Sequence, residues 1–314
     1  MAKIAFVFPG QGSQTVGMGK ELSDEFASVK TYFDRADEVL QVRLSDIIFN
    51  GPGEELTLTT NAQPSLLTTS IAILSRLNEF NIQADYVAGH SLGEYSALVA
   101  ANVLSFEDAV MAVRKRGEYM EEAVPAGQGS MAAVLGAERK ALEDLTASIT
   151  AEGNPVQLAN INCPGQIVIS GSVEGVKQAS EAAKSIGAKR AMPLVVSGPF
   201  HSSLMKPASS NLQATFETIH WNDASIPVIS NVTAQPVESS EEIKGLLIEQ
   251  LYSPVLWQDC VEKMIELGVD TFVEIGPGKV LSGLIKKINR SVRIYSVSNE
   301  SEVQAVVTAL KEEM

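Results

Sequence analysis

The sequence predicts an α/β fold: an α/β-hydrolase-like core built on a parallel sheet, with an inserted ferredoxin-like α+β subdomain. Three observations predict it. Strand-like and helix-like segments alternate through the first 125 residues, the pattern of a parallel sheet covered by helices. From Ala126 to Val196 the rhythm changes to β-α-β-β-α-β, the split-βαβ arrangement. Finally, Gly89-His90-Ser91-Leu92-Gly93 sits where a strand gives way to a helix, the context of a nucleophile elbow.

Taken in order, "KIAFVFPG" is a first strand, because a short apolar run ends at Pro and Gly; its brevity and the lack of a small-residue cleavage site read against a signal peptide. "DEFASVKTYFDRADEVL" and "QPSLLTTSIAILSRLNEF" have helical period, then "DYVAG" is a strand. "LGEYSALVAANV" and "FEDAVMAVRKRGEYMEEA" are helices. At "VPAGQGS" Gly and Pro mark a boundary. In the insert, "SMAAVLGA", "PVQLANI", "QIVISGS" and "KRAMPLVV" are strands, with helices over "ERKALEDLTASITAE" and "VEGVKQASEAAKSIG". The core then resumes: strands "IPVISNV", "DTFVEIGPG" and "VRIYSVS", with helices "VLWQDCVEKMIELG" and "KVLSGLIKKI". The expected division is therefore residues 1–125 and 197–314 for the catalytic core and 126–196 for the insert, with no internal repeat.

Composition narrows the function. The 314-residue chain carries a formal net charge of −14, which argues against nucleic acid, a partner that needs concentrated positive charge. No apolar run approaches the ~20 residues that span a bilayer, so a membrane role is not expected. Two cysteines, Cys163 and Cys260, make no disulfide framework and suit a reducing cytoplasm.

The chemistry centres on Ser91. In the elbow, Gly89 and Gly93 remove side chains that would collide as strand turns into helix, leaving the Ser91 hydroxyl exposed at the carboxyl end of the sheet. The Leu92 N–H, at the helix start, points to where an oxyanion would form. The competing reading is that Ser91 only caps the helix. A serine nucleophile needs a base, and the chain has three histidines. His90 adjoins Ser91 and points elsewhere; His220 lies among polar residues and reads as surface. His201, in the loop "SGPFHSSLM" just after the insert, can return to the carboxyl end of the sheet. No carboxylate between Ser91 and His201 stands out as a third member, and more than a hundred residues follow His201, so this is not the plan of an ordinary esterase.

Arg116 is the second anomaly. At ~100° per residue it falls on the face of Ala109, Val113 and Met120, whereas Arg114, Lys115, Glu118 and Glu121 lie opposite. A guanidinium in an apolar stripe needs an anionic partner. Either a protein carboxylate or snorkelling to solvent satisfies it, or its partner is the carboxylate of a substrate held by a bidentate fork.

Seven ordered blocks, "FVFPGQGSQ", "TTNAQPSLL", "GHSLGEYSAL", "RGEYM", "GPFHS", "QLYSPVLW" and "EIGPG", cover nearly the whole chain. Together the chain resembles the malonyl-CoA:acyl carrier protein transacylase family, which includes the acyltransferase domains of fatty acid and polyketide synthases. The resemblance implies that Ser91 is acylated, with His201 as general base and then acid. It implies that main-chain carbonyls, chiefly that of Gln250, orient His201 in place of an acid. Gln11 and Leu92 supply the oxyanion hole through their N–H groups, and Arg116 binds the malonyl carboxylate. Phe200 matches the malonyl-selective form of its motif, where methylmalonyl-selective domains carry Ser. His90 adds a hydrogen bond in the site, and Asn160 and Asn162 contact the thioester. The implied reaction is ping-pong transfer of malonyl from malonyl-CoA to the phosphopantetheine thiol of holo acyl carrier protein, for fatty acid synthesis.

No metal or cofactor is implied, coenzyme A and the carrier's phosphopantetheine being substrates. A monomeric, cytoplasmic enzyme is expected. The alternatives are a serine thioesterase or esterase acting on a carboxylated acyl-CoA, and a module that binds malonyl-CoA without turning it over. For an acidic carrier, Lys189, Arg190, Lys286, Lys287 and Arg290 are the candidate docking cations.

Overall fold

The structure, a computed structural model, describes residues 3–125 and 127–313. The first residue expected for the insert, Ala126, lies outside them, as do the chain ends Met1 and Met314 expected for the core. Along the chain the strands are β1 (Lys3–Phe8), β2 (Tyr86–Gly89), β3 (Gly129–Leu135), β4 (Val156–Cys163), β5 (Gln166–Ser172), β6 (Arg190–Pro193), β7 (Val228–Ile229), β8 (Pro236–Val237), β9 (Val269–Ile275) and β10 (Arg293–Val297).

They form two sheets. The larger has the order β10-β9-β1-β2-β7-β8, with β10, β9, β1, β2 and β7 parallel. The short β8 pairs antiparallel with β7 and closes one edge, so the sheet is mixed at that edge and otherwise as expected. Both faces of the sheet are covered, which is why its strands read as near-continuous apolar runs. Side-chain alternation along β1 divides the faces: Ile4, Phe6 and Phe8 join the cluster with Leu66, Leu67 and Ile73 of helix Thr59–Asn78, and Ala5 and Val7 face Trp257, Cys260 and Val261 of helix Trp257–Glu266.

The smaller sheet has the order β4-β5-β3-β6, antiparallel throughout, and helices Arg139–Ala151 and Val173–Ala182 pack a separate apolar cluster against it. Connection order and strand order together are those of a ferredoxin-like unit. Main-chain bonds clamp it to the larger body: Ile161 N–H donates to Val255 O at 2.9 Å, and Val255 N–H donates to Ala159 O at 2.8 Å. β4 thus reaches the site with its main chain fixed at both partners.

Several helices were not read from the sequence: Leu44–Asn50, Gly53–Thr57, Lys206–Phe216, Ser240–Gln250 and Glu300–Glu313. The third is "KPASSNLQATF", whose serines and small residues blur helical period. The helix expected from Gln63 begins four residues earlier, at Thr59, and carries Pro64 inside it. The Glu121 carboxylate accepts the Thr59 N–H at 3.0 Å, an anion at a helix N-terminus.

Candidate active site

β2 ends at Gly89 and the next helix, Gly93–Ala100, starts four residues later. Between them Ser91 has φ 52°, a left-handed backbone that a residue with a side chain adopts only under constraint. Two glycines make the turn possible. A Cβ at Gly89 would stand 1.9 Å from the main-chain carbon of Gly93, and one at Gly93 would stand 2.1 Å from the main-chain oxygen of Phe8. Asn231, buried just beyond β7, holds the turn closed: its Oδ1 accepts from Ser91 N–H at 2.7 Å and its Nδ2 donates to Gly89 O at 2.7 Å.

The turn brings Ser91 to His201. Ser91 Oγ–H donates to His201 Nε2 at 2.8 Å, and His201 Nδ1–H donates to the main-chain oxygen of Gln250 at 2.8 Å. No carboxylate takes part in this chain of bonds; a carbonyl fixes the ring's orientation and tautomer instead. His201 is 4% exposed. Burial, and then the charge of Arg116, hold its imidazole down at about 3, so it is neutral at neutral pH with the Nε2 lone pair free to meet the Ser91 hydroxyl.

Arg116 is also buried, at 1% exposure. Its Nη1 donates to Gln63 Oε1 at 2.8 Å; its Nη2 donates to Gln250 Oε1 at 2.9 Å and to Ser91 Oγ at 3.1 Å. The guanidinium carbon lies 5.6 Å from the centre of the Tyr95 ring, a cation–π distance. These partners are uncharged, so of the two readings of Arg116 the one with a directly bonded protein carboxylate does not hold. Burial lowers its pKa, an effect opposed by its electrostatic interactions with Tyr95 and Glu94; a guanidinium keeps its proton regardless.

Glu94 is the acidic group of this network. It is 2% exposed, and its Oε2 accepts from Gln250 Nε2 at 2.7 Å and from Asn231 N–H at 3.1 Å. Burial pushes its carboxyl up to about 7, opposed by those two bonds and by the charge of Arg116.

The remaining residues named from the sequence surround one cavity, which Gln11, His90, Ser91, Leu92, Arg116, Asn160, Phe200 and His201 all line. Among the described residues, no hydrogen bond occupies the main-chain N–H of Gln11 or of Leu92, and the Gln11 side chain is tethered to Thr59 Oγ1 at 3.2 Å. His90 turns away from Ser91: its Nε2 meets Asn162 Oδ1 at 2.8 Å, and loss of hydration lowers its pKa. Asn162 therefore backs His90 rather than lining the cavity, while Asn160 lines it. His220 is exposed and pairs with Asn222.

Gln63, Glu94 and Asn231 were not singled out in the sequence. Gln63 and Glu94 lie inside two of the seven blocks, but nothing in their spacing distinguishes them from surface polar residues. What betrays them is burial, which needs the fold.

Among the described residues no group of three or more His, Cys, Asp or Glu side chains is arranged to hold a metal ion, and no helix is long and apolar enough to cross a membrane.

Residues 5–314 match the family model described as the acyl transferase domain. The malonyl CoA-acyl carrier protein transacylase of Bacillus subtilis (strain 168) is 59% identical over 313 residues, covering 100% of this chain and 99% of the relative. The crystal structure of an acyl carrier protein S-malonyltransferase from Vibrio cholerae superposes with TM-score 0.95 at 45% identity, over 97% of this chain and 100% of that one. A malonyl-transacylase solved in complex with its type II PKS acyl-carrier protein gives TM-score 0.94 at 41% identity, over 98% of this chain and 100% of that one.

Proposed function

Since the chain belongs to the acyl transferase family, we propose how its residues divide the work of one reaction. The protein is an acyltransferase that moves the malonyl group of malonyl-CoA onto the phosphopantetheine thiol of holo acyl carrier protein, the supply step for fatty acid synthesis, by a ping-pong route. The observation that carries the residue assignment is the 3.1 Å contact of Arg116 Nη2 with Ser91 Oγ. A buried guanidinium donor at the nucleophile fits an acyl group whose free carboxylate stands one methylene from the carbonyl under attack.

In the first half-reaction Ser91 Oγ attacks the thioester carbonyl carbon while His201 Nε2 takes its proton. The N–H groups of Gln11 and Leu92 stabilise the oxyanion. The tetrahedral adduct collapses, the C–S bond breaks, and His201 returns the proton to the departing thiolate of coenzyme A. Because the site disfavours an imidazolium, that proton is passed on readily. In the second half-reaction His201 deprotonates the carrier's thiol, the thiolate attacks the malonyl-serine, and Ser91 leaves with the proton. Arg116 holds the malonyl carboxylate through both. Acetyl-CoA leaves the guanidinium without an anion, which is penalised by about 1–3 kcal/mol or more. Phe200 narrows the cavity around the methylene and so selects malonyl over branched analogues, while His90, backed by Asn162, and Asn160 line the thioester channel.

The reaction draws only on groups of this one chain and its two substrates, a thioester and a thiol, which supports a monomer without a cofactor. The free cysteines, both buried, fit a cytoplasmic location. The described part of the insert, residues 127–196, acts as a separate unit that closes one side of the cavity. For the carrier, Lys287 Nζ donates to Gln166 Oε1 at 3.1 Å, and the aliphatic stem of Lys189 passes over Gly136, whose N–H donates to Gly165 O. The two clusters of cations, Lys189–Arg190 and Lys286–Lys287–Arg290, thus meet at the turn where β5 begins, and we assign the docking of an acidic carrier to them.

The test is intact mass after brief exposure to malonyl-CoA. Wild type gains one malonyl group, which holo acyl carrier protein discharges, and Ser91→Ala gains none. Adduct formation on Ser91→Ala overturns the nucleophile; release of free malonate at a rate that carrier protein does not alter makes the enzyme a thioesterase. In parallel, Arg116→Ala loses the preference for malonyl- over acetyl-CoA by about 100-fold; a preserved preference removes Arg116 from substrate binding.

A further inference from the structure

Glu94 takes no part in the reaction as written, yet it is a buried carboxylate two bonds from the centre of it. An acid in the first turn of a helix is ordinarily explained by the helix dipole, and such residues face solvent. Glu94 faces inward. Its Oε2 receives Gln250 Nε2 and Asn231 N–H, and both of those residues already hold the nucleophile or its base.

The decisive point concerns Gln250. A carboxamide has a donor end and an acceptor end that differ little in shape. Glu94 Oε2 also accepts from the Asn231 N–H, so the end of Gln250 beside it is the NH2 group, and Oε1 faces the other way. There it accepts from Arg116 Nη2 at 2.9 Å. The reversed amide would set a carbonyl against a carboxylate and an NH2 group against a guanidinium. The same Nε2 also donates to Ser91 O at 3.1 Å. With one Nη2 hydrogen bound to Gln250 Oε1, the other points at Ser91 Oγ.

We propose that Glu94 is a positioning residue for the transfer: by accepting from Gln250 Nε2 it holds the Gln250 carboxamide with Oε1 towards Arg116, and so aims the guanidinium at the site where the acyl carboxylate arrives. This rests on the reading that Arg116 binds that carboxylate. The other titratable groups that act here are Arg116 on helix Phe106–Glu122, Tyr95 on Glu94's own helix, Cys260 on helix Trp257–Glu266, and His201 and His90 across the cavity. None of them bonds the Gln250 amide except Arg116 itself.

The experiment compares Glu94→Ala, Glu94→Asp and Glu94→Gln with wild type in kcat/KM for malonyl- and acetyl-CoA. It also measures the rate at which phenylmethylsulfonyl fluoride modifies Ser91, since that reagent has no carboxylate and reports the Ser91–His201 pair alone. Glu94→Ala, and Glu94→Asp where the alanine variant does not fold, lower malonyl kcat/KM about tenfold, mainly through KM. The ratio of malonyl to acetyl falls by the same factor, and Ser91 sulfonylation stays within about threefold of wild type. Glu94→Gln, whose carbonyl still accepts from Gln250 and Asn231, recovers most of the loss. In an Arg116→Ala background, Glu94→Ala has no further effect on malonyl. Equal losses with malonyl, acetyl and the sulfonyl reagent, or no loss at all, overturn the proposal. If Arg116→Ala abolishes the malonyl preference and Glu94→Ala preserves it, the Glu94 role alone fails. If Arg116→Ala preserves it, the reading beneath fails.

Discussion

His201 is the residue at which charge, burial and position bear most directly on one another. Its ordinary pKa of 6.5 falls to about 3 in the fold, so the unfolded chain binds a proton that the folded chain refuses as pH drops through that interval. Stability from this group is therefore complete above pH 6.5 and is lost progressively towards pH 3. Glu94 runs the other way: raised from 4.5 to about 7, it makes the fold less favourable as pH rises across that window. The two effects oppose each other between pH 4.5 and 6.5, so a wild-type profile alone does not isolate either. His201→Gln does. Relative to wild type the variant gains about 1.4 kcal/mol per pH unit below 6.5, readable as a difference in urea midpoints at pH 7 and pH 5. No change in that difference means the imidazole is not held neutral. At this scale the sequence was legible where chemistry is rare: one serine between glycines, one loop histidine, one arginine on an apolar face. It was opaque at Gln63, Glu94 and Asn231, because an amide or acid inside a helix or beyond a strand end looks the same whether it faces solvent or a guanidinium.

Arg116 owes its place to a contact between two helices. Gly117, its neighbour on helix Phe106–Glu122, meets the start of helix Thr59–Asn78 backbone to backbone: a Cβ there would stand 3.0 Å from both Thr59 O and Thr60 Cα. That closeness lets Arg116 reach Gln63. Glycine to alanine inside a helix normally gains up to ~1 kcal/mol. Here overpacking outweighs it, and Gly117→Ala costs about 1–3 kcal/mol, with a lower melting temperature and a raised KM for malonyl-CoA. A higher melting temperature would show that the helices move apart freely. The same pair of helices explains the misplaced boundary. Proline usually marks the first turn of a helix, so the sequence suggests a start near Pro64. The helix instead begins at Thr59 and carries the proline through, and the Thr60 carbonyl, four residues before Pro64 and so denied its N–H partner, accepts from Arg114 Nη1 at 3.0 Å. No local rule reads a side chain arriving from another helix.

For the molecule as a whole, the alternation of strands and helices and the six-element insert are legible because each is a short-range pattern repeated. The antiparallel edge strand β8, two residues long, is not, since nothing in so brief a segment carries period. How the two sheets share one cavity is likewise a long-range fact, fixed by the bonds of β4 to Val255. Long-range electrostatics make the last prediction. A chain of net charge −14 repels an acidic carrier except where cations gather. Lys287→Glu paired with Lys189→Glu therefore raises KM for carrier protein at least about tenfold, more at low than at high salt. Acylation by malonyl-CoA in single turnover is unchanged. Transfer to carrier at wild-type KM would move the docking surface elsewhere.

The carbonyl that orients His201 belongs to the main chain of Gln250, and every residue has one. In terms of mutational robustness, the third member of this hydrogen-bonded chain cannot be deleted by substitution: a scan that replaces side chains one at a time reports on the Gln250 amide and passes over the oxygen behind it. Where other serine enzymes keep an aspartate that a single base change can destroy, this site depends on a group that the genetic code does not vary.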